Sequence, residues 1–186
     1  MKSSDLDILI IPGLGNSGPE HWQTRWERKL KTARRVEQAS WDWPDRDDWV
    51  ERIVAEVARS TRPVFLVAHS LGVVALANAA PRLLTEGDAR VVGAFLVAPP
   101  DTGRADMPPA VGASFGPPPR EPLPFPSMLI ASSTDPWCDY AVADDLAAAW
   151  GSVIVDAGDA GHINTESGHG PWPEGLTRLA TLLARI

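Results

Sequence analysis

His69-Ser70-Leu71-Gly72 follows directly on an aliphatic run, Val64 to Ala68, and precedes a run of small residues from Val73 to Ala80. A strand, a small-x-Ser-x-Gly segment and a helix, in that order, describe the tight turn that holds a serine hydroxyl over the carboxyl edge of a sheet. Ser70 is therefore the candidate nucleophile. Strand and helix nearly touch at such a turn, which asks for small residues two before and two after the serine. Gly72 meets that demand, and Ala68 stands where glycine is commoner. The Leu71 N–H opens the helix and points at negative charge developing on a substrate oxygen. A serine between small residues also arises by chance; the strand before it and the helix after it carry the argument.

A serine nucleophile needs a base, and His21, His69, His162 and His169 are the side chains with a suitable unperturbed pKa. With this turn the order along the chain is serine, acid, histidine, the last two on loops after later strands. His162 fits, because it ends the short loop Gly158-Asp159-Ala160-Gly161 after the apolar run Val153 to Val155. His169 competes from a Gly-flanked loop further on that reads as surface. His69 adjoins Ser70, so its side chain leaves the turn in another direction and reads as a packed or solvent-facing neighbour. His21 precedes Trp22 in what reads as the first turn of a helix, where a capping or pocket-lining role is the plainer reading. The acid belongs after the run Ser127 to Ala131, and Ser133-Thr134-Asp135-Pro136-Trp137 offers Asp135 there. Asp-Pro is also a common turn signal. Asp139, Asp144, Asp145, Asp156 and Asp159 are the alternatives, with Asp139 reading better as the cap of a helix through Leu146.

The loop after the first apolar run, Pro12-Gly13-Leu14-Gly15-Asn16-Ser17-Gly18, lets backbone approach a ligand closely and makes the Leu14 N–H the second oxyanion donor. Gly13-x-Gly15-x-x-Gly18 is also a weak dinucleotide fingerprint. Ribose binding would need an acidic residue ending the second strand, whereas Glu37 runs on into Gln38-Ala39-Ser40-Trp41. No cofactor is expected, and no histidine pair or carboxylate cluster has metal-ligand spacing. Trp22, Trp26, Trp41, Trp43 and Trp49 crowd into one stretch. Core packing is their first reading, and an apolar wall for an acyl or alcohol group the second.

These groups need a frame. Leu6 to Ile11, Pro63 to Ala68, Arg90 to Val97 and Ser127 to Ala131 are nearly continuous apolar runs bounded by Pro, Gly or Ser, which predicts strands buried on both faces. Arg35 to Gln38 and Ser152 to Val155 are weaker candidates. Trp49, Val50, Ile53, Val54 and Val57 repeat at helical spacing, as do Leu176, Leu179, Ala180, Leu182, Leu183 and Ile186. Such alternation implies an α/β class with a mainly parallel six-stranded sheet between two helical layers. Pro99 to Pro126 holds ten of the 18 prolines, so it is neither a long helix nor a central strand. It is expected as an ordered surface excursion from the carboxyl end of a strand, either walling a site or serving as a rigid connector.

The 186 residues fit one domain, 1–186, and 44% hydrophobic with 22% charged residues is a folding composition. A formal charge of −7 repels phosphate backbones and anionic lipid surfaces, so nucleic acid and membrane are not expected partners. The N-terminal apolar run is too short for a signal core or a span, which points to the cytoplasm. Cys138, the single cysteine, excludes an internal disulfide and suits a reducing compartment. A monomer or weak homodimer is expected.

Taken together, Pro12-Gly13-Leu14-Gly15-Asn16-Ser17-Gly18-Pro19-Glu20-His21-Trp22, Ala68-His69-Ser70-Leu71-Gly72, Val97-Ala98-Pro99-Pro100, Asp135-Pro136 and Gly161-His162-Ile163-Asn164 resemble the small bacterial α/β-hydrolases related to retinoblastoma-binding protein nine. The resemblance spans nearly the whole chain. It implies a compact, lidless α/β-hydrolase fold with strand order 2-1-3-4-5-6 and a triad of Ser70, Asp135 and His162. Gly13, Gly15, Asn16, His21 and Trp22 are the expected substrate-binding residues. The Leu-x-Cys-x-Glu motif is absent, since Cys138 sits in Trp137-Cys138-Asp139-Tyr140, so no retinoblastoma partner is carried over. The expected activity is hydrolysis of small acyl esters through an acyl-enzyme, the partner being the small-molecule ester. Amide or thioester cleavage by the same residues, and a non-catalytic interaction module on the same fold, are the alternatives.

Overall fold

The computed structural model of the chain describes residues 1–84 and 91–186. Its strands are β1 (Asp7–Ile11), β2 (Ala33–Arg35), β3 (Val64–His69), β4 (Val91–Val97), β5 (Ser127–Ala131) and β6 (Val153–Asp156). They form one six-stranded sheet in the order β2-β1-β3-β4-β5-β6. Every pairing is parallel, as strands apolar on both faces require. Arg90, the first residue of the expected fourth strand, lies outside the described residues.

Side chains alternate strictly between the two faces. Leu9 and Ile11, Leu66 and Ala68, Leu96, and Leu129 point to one core, shared with helices α2 (Arg46–Ala58), α3 (Leu71–Ala79) and α5 (Tyr140–Trp150). Ile8 and Ile10, Phe65 and Val67, Phe95, and Ile130 point to the other, shared with α1 (Trp22–Lys29) and α6 (Pro173–Leu183). The result is the expected three-layer sandwich. Among the described residues no helix is long and apolar enough to cross a membrane.

The strand order reverses between β1 and β3, and the chain leaves these neighbours toward opposite faces, to α1 from β1 and to α3 from β3. A crevice must open where the two connections part, above the carboxyl ends of β1 and β3. Both candidate loops, after Ile11 and after His69, lie there.

Two expectations need correction. The second strand, expected over Arg35 to Gln38, covers Ala33–Arg35. Its two arginines disguise it, since Arg34 pairs with Glu56 and Asp7, and Arg35 with Glu27, so an edge strand is built from side chains that hydropathy reads as loop. The Pro99 to Pro126 excursion is not confined to the surface. It contains a short helix, α4 (Pro109–Phe115), and buries Met107, Val111, Phe115 and Phe125 against the core that α2, α3 and α5 share.

Candidate active site

Ser70 follows β3 and caps α3 with φ 54° and ψ −130°, a backbone region that costs a residue with a β-carbon about 1–3 kcal/mol and persists only where the surroundings enforce it. Its N–H donates to the Val97 carbonyl at 2.9 Å, extending the β3–β4 ladder by one bond, and its carbonyl accepts from the Val73 N–H at 2.8 Å to start α3. The glycine after it is required by its contacts. A β-carbon on Gly72 would lie 2.4 Å from the Ile11 carbonyl oxygen and 2.5 Å from that of Pro12. The crowding thus comes from the end of β1, rather than from the serine's own strand.

His162 Nε2 lies 2.8 Å from Ser70 Oγ, and its Nδ1 lies 2.9 and 3.0 Å from the two carboxylate oxygens of Asp135. A carboxylate only accepts, so Nδ1 carries the proton and Nε2 faces the serine hydroxyl with its lone pair. The Asp135 side chain is 3% exposed and the His162 side chain 10%, so the three groups meet largely out of water.

Hydrogen bonds between the β5 and β6 loops fix this alignment. Ser132 Oγ donates to Gly158 O and accepts from Ala160 N–H; Thr134 Oγ1 donates to Asp159 and accepts from Gly161 N–H. Ile163, the residue after the histidine, is fully buried at φ 48°, an outlier for a β-branched side chain. Its carbonyl accepts from Trp22 Nε1 at 2.9 Å, which ties the strained turn to α1.

The loops carrying the two expected oxyanion donors lie against each other. A β-carbon on Gly13 would meet Ser70 Cβ at 2.7 Å and Leu71 N at 3.0 Å, so only glycine lets the loop after β1 lie against the start of α3. The N–H groups of Leu14 and Leu71 have no hydrogen-bond partner among the described residues. Arg35 clamps this loop from the neighbouring strand. Its guanidinium donates to Asn16 Oδ1 at 2.6 Å, Ser17 O at 3.0 Å and Thr24 Oγ1 at 2.7 Å, with Glu27 balancing its charge.

A cavity of about 220 Å³ opens on Ser70 and His162. Leu14, Leu71 and Asn164 line it from the loops already described. Pro100, Met107, Pro108 and Val111 line it from the proline-rich excursion, and Trp137 from the loop carrying Asp135. Of the expected substrate-binding residues, Gly13 lies against Ser70, but Gly15, Asn16, His21 and Trp22 are not among those lining the cavity. Asn16 is engaged with Arg35. His21 caps α1, its Nδ1 accepting from Gln23 N–H at 3.2 Å. Trp22 is fully buried and packs on Trp26 and Trp172. Of the tryptophan-rich stretch, Trp22, Trp26 and Trp49 are core and Trp41 packs against it, whereas Trp43 is exposed.

His169 contacts Ser167 and Trp172. Asp139 occupies the N-cap position of α5 but caps through its carbonyl, not its carboxylate. The cavity-lining Met107, Val111 and Trp137 carry no motif, with only proximity to Asp135 along the chain marking the last; Asn164 ends the segment Gly161-His162-Ile163-Asn164 quoted above. Among the described residues no group of three or more His, Cys, Asp or Glu side chains could hold a metal ion.

The sequence matches the serine hydrolase family model over residues 8–181. The chain belongs to that family. A protein from Pectobacterium atrosepticum described as a YdeN-like hydrolase superposes with a TM-score of 0.83 at 37% identity, covering 97% of this chain and 91% of the other. The ydeN gene product of B. subtilis gives 0.73 at 19% identity, covering 95% of this chain and 98% of that one. Thermogutta terrifontis esterase 2 shares the fold at 14% identity, with a TM-score of 0.69 over all of this chain and 85% of the esterase. No curated protein matches the sequence. This serine hydrolase therefore has the α/β-hydrolase architecture in a compact form.

Proposed function

We propose that this serine hydrolase cleaves small carboxylic esters through an acyl-enzyme. Ser70 Oγ attacks the carbonyl carbon while His162 Nε2 takes its proton, and Asp135 holds the imidazole in the Nδ1–H tautomer and faces the imidazolium that forms. The Leu14 and Leu71 N–H groups receive the oxyanion, each worth about 3 kcal/mol in the transition state. His162 returns the proton to the departing alcohol. Water, deprotonated by His162, then attacks the acyl-Ser70 carbonyl, and collapse of that intermediate releases the acid and restores the serine.

The observation that carries this reading is the unbroken hydrogen-bond chain from Asp135 through His162 to Ser70 on a strained turn at the mouth of the cavity. An interaction module would have no use for that strain or for two backbone donors kept without partners. Kinship with retinoblastoma-binding protein nine rests on the motifs quoted above.

Rates for matched acyl esters, acyl thioesters and acyl anilides test the leaving-group assignment. Highest kcat/KM for the oxygen esters supports it, and a thioester or anilide preference overturns it in favour of the same chemistry on another bond.

A further inference from the structure

The cavity above Ser70 is uneven in its chemistry. Its inner wall is Leu71, Met107 and Val111, which are 1%, 8% and 3% exposed. Its rim is Leu14 and Trp137, each 37% exposed. None of the lining residues is Asp, Glu, Lys or Arg. A charged group placed against the inner wall would lose its hydration and gain no partner, whereas a hydrocarbon chain would exchange water for methyl and thioether surface.

Size narrows the choice. An apolar protein cavity of about 150 Å³ holds benzene, so about 220 Å³ has room for roughly nine non-hydrogen atoms. The reacting carboxyl group takes about three of these, leaving about six for the chain.

The wall that sets this limit is fixed. Thr102 Oγ1 donates to Gly116 O, closing the excursion on itself, and Ser114 Oγ accepts from the Arg46 N–H, tying α4 to α2. On the other side Asp101 N–H donates to Trp137 O, and Arg104 to Pro136 O, both in the loop that carries Asp135. A longer chain therefore meets a wall whose backbone is tied down on both sides.

We infer that the acyl group is a short, uncharged hydrocarbon chain of about four to seven carbons, the carbonyl carbon included, and that Met107 and Val111, delivered by the excursion between β4 and β5, set the upper limit. The alcohol leaves past Leu14 and Trp137, where solvent reaches. The inference rests on Ser70 being the nucleophile.

The test is kcat/KM over p-nitrophenyl acetate, butyrate, hexanoate, octanoate and decanoate, with fluorophosphonate labelling of each protein run alongside. The expected wild-type maximum is at butyrate or hexanoate, with at least a tenfold fall by decanoate. Met107→Ala and Val111→Ala should move the maximum to octanoate or beyond, and Val111→Phe should move it to acetate. A comparison on wild type needs no variant to fold: the glutarate hemiester, a pentanoate chain ending in a carboxylate, should react at least a hundredfold more slowly than pentanoate. A profile flat to decanoate, a maximum unmoved in variants that still take the label, or equal rates for glutarate and pentanoate overturns the inference while leaving the nucleophile in place. Wild type that neither takes the label nor hydrolyses any ester overturns the reading of Ser70, and this inference with it.

Discussion

His69 Nε2 lies 2.9 Å from the carbonyl oxygen of His162. A carbonyl only accepts, so the ring donates, and the residue before the candidate nucleophile anchors the backbone of the candidate base. Without this ring the His162 carbonyl loses its partner in a partly buried position, and its loop is freer to drift from Ser70. His69→Ala should lower stability by about 2–4 kcal/mol and kcat by at least tenfold. His69→Gln, which keeps a donor, should recover part of both. Thermal melts and steady-state kinetics on the two variants check this.

Acid should destabilise the protein through two histidines. Burial, helped by the Arg35 guanidinium, pushes His21 down to about 4. Burial, helped by His162, holds His69 well below the usual imidazole range. Both stay neutral in the fold while the unfolded chain takes up protons near pH 6.5, so their contribution is complete above that pH and is lost as pH falls toward 4 and below. The slope is about 1.4 kcal/mol per pH unit for each group. His21→Asn retains an oxygen that can accept from the Gln23 N–H, and should remove about one proton's share of that slope. Urea denaturation between pH 4 and 8 measures it, and an unchanged slope in the variant would contradict the assignment.

Gly72→Ala and Gly13→Ala should fail differently. The first drives a β-carbon into two backbone carbonyls of the β1 end, and should cost about 1–3 kcal/mol of stability. The second meets Ser70 itself, so activity should fall further than stability. Melting temperature against kcat for the pair separates the two effects.

Arg35→Gln should loosen the loop that carries the Leu14 N–H without touching Ser70. A displaced oxyanion donor costs up to about a hundredfold in rate, so kcat should fall by about tenfold to a hundredfold with KM little changed. Equal effects on both constants would assign Arg35 to substrate binding instead.

Much of the fold and of the candidate site was legible in the sequence because local physics marks it. Ser70 and Gly72 need a particular turn, and Asp135 and His162 each follow a strand whose apolar run is plain. The continuous apolar runs Ile8 to Ile11 and Phe65 to Ala68 made burial on both faces of the sheet equally visible. What escaped depended on tertiary contact. β2 was displaced because Arg34 and Arg35 are neutralised by partners on other elements. His21 and Trp22 sit beside the candidate site in the chain, yet α1 turns them into the core. Met107 and Val111 were hidden among prolines whose fixed φ announces an irregular path but not its destination.

Cys138 is buried, with its thiol pushed up to about 12 by burial first and by Asp135 next, so it is a poor nucleophile at neutral pH. A serine-directed reagent therefore reports Ser70 without competition from the thiol. The direct test is labelling of folded protein with a fluorophosphonate, read as intact mass, with Ser70→Ala and His162→Ala as controls. One adduct on wild type, none on Ser70→Ala and a steep loss of rate in His162→Ala is the predicted result. A folded wild type that takes no adduct, or an adduct that survives Ser70→Ala, would contradict an activated serine at this turn.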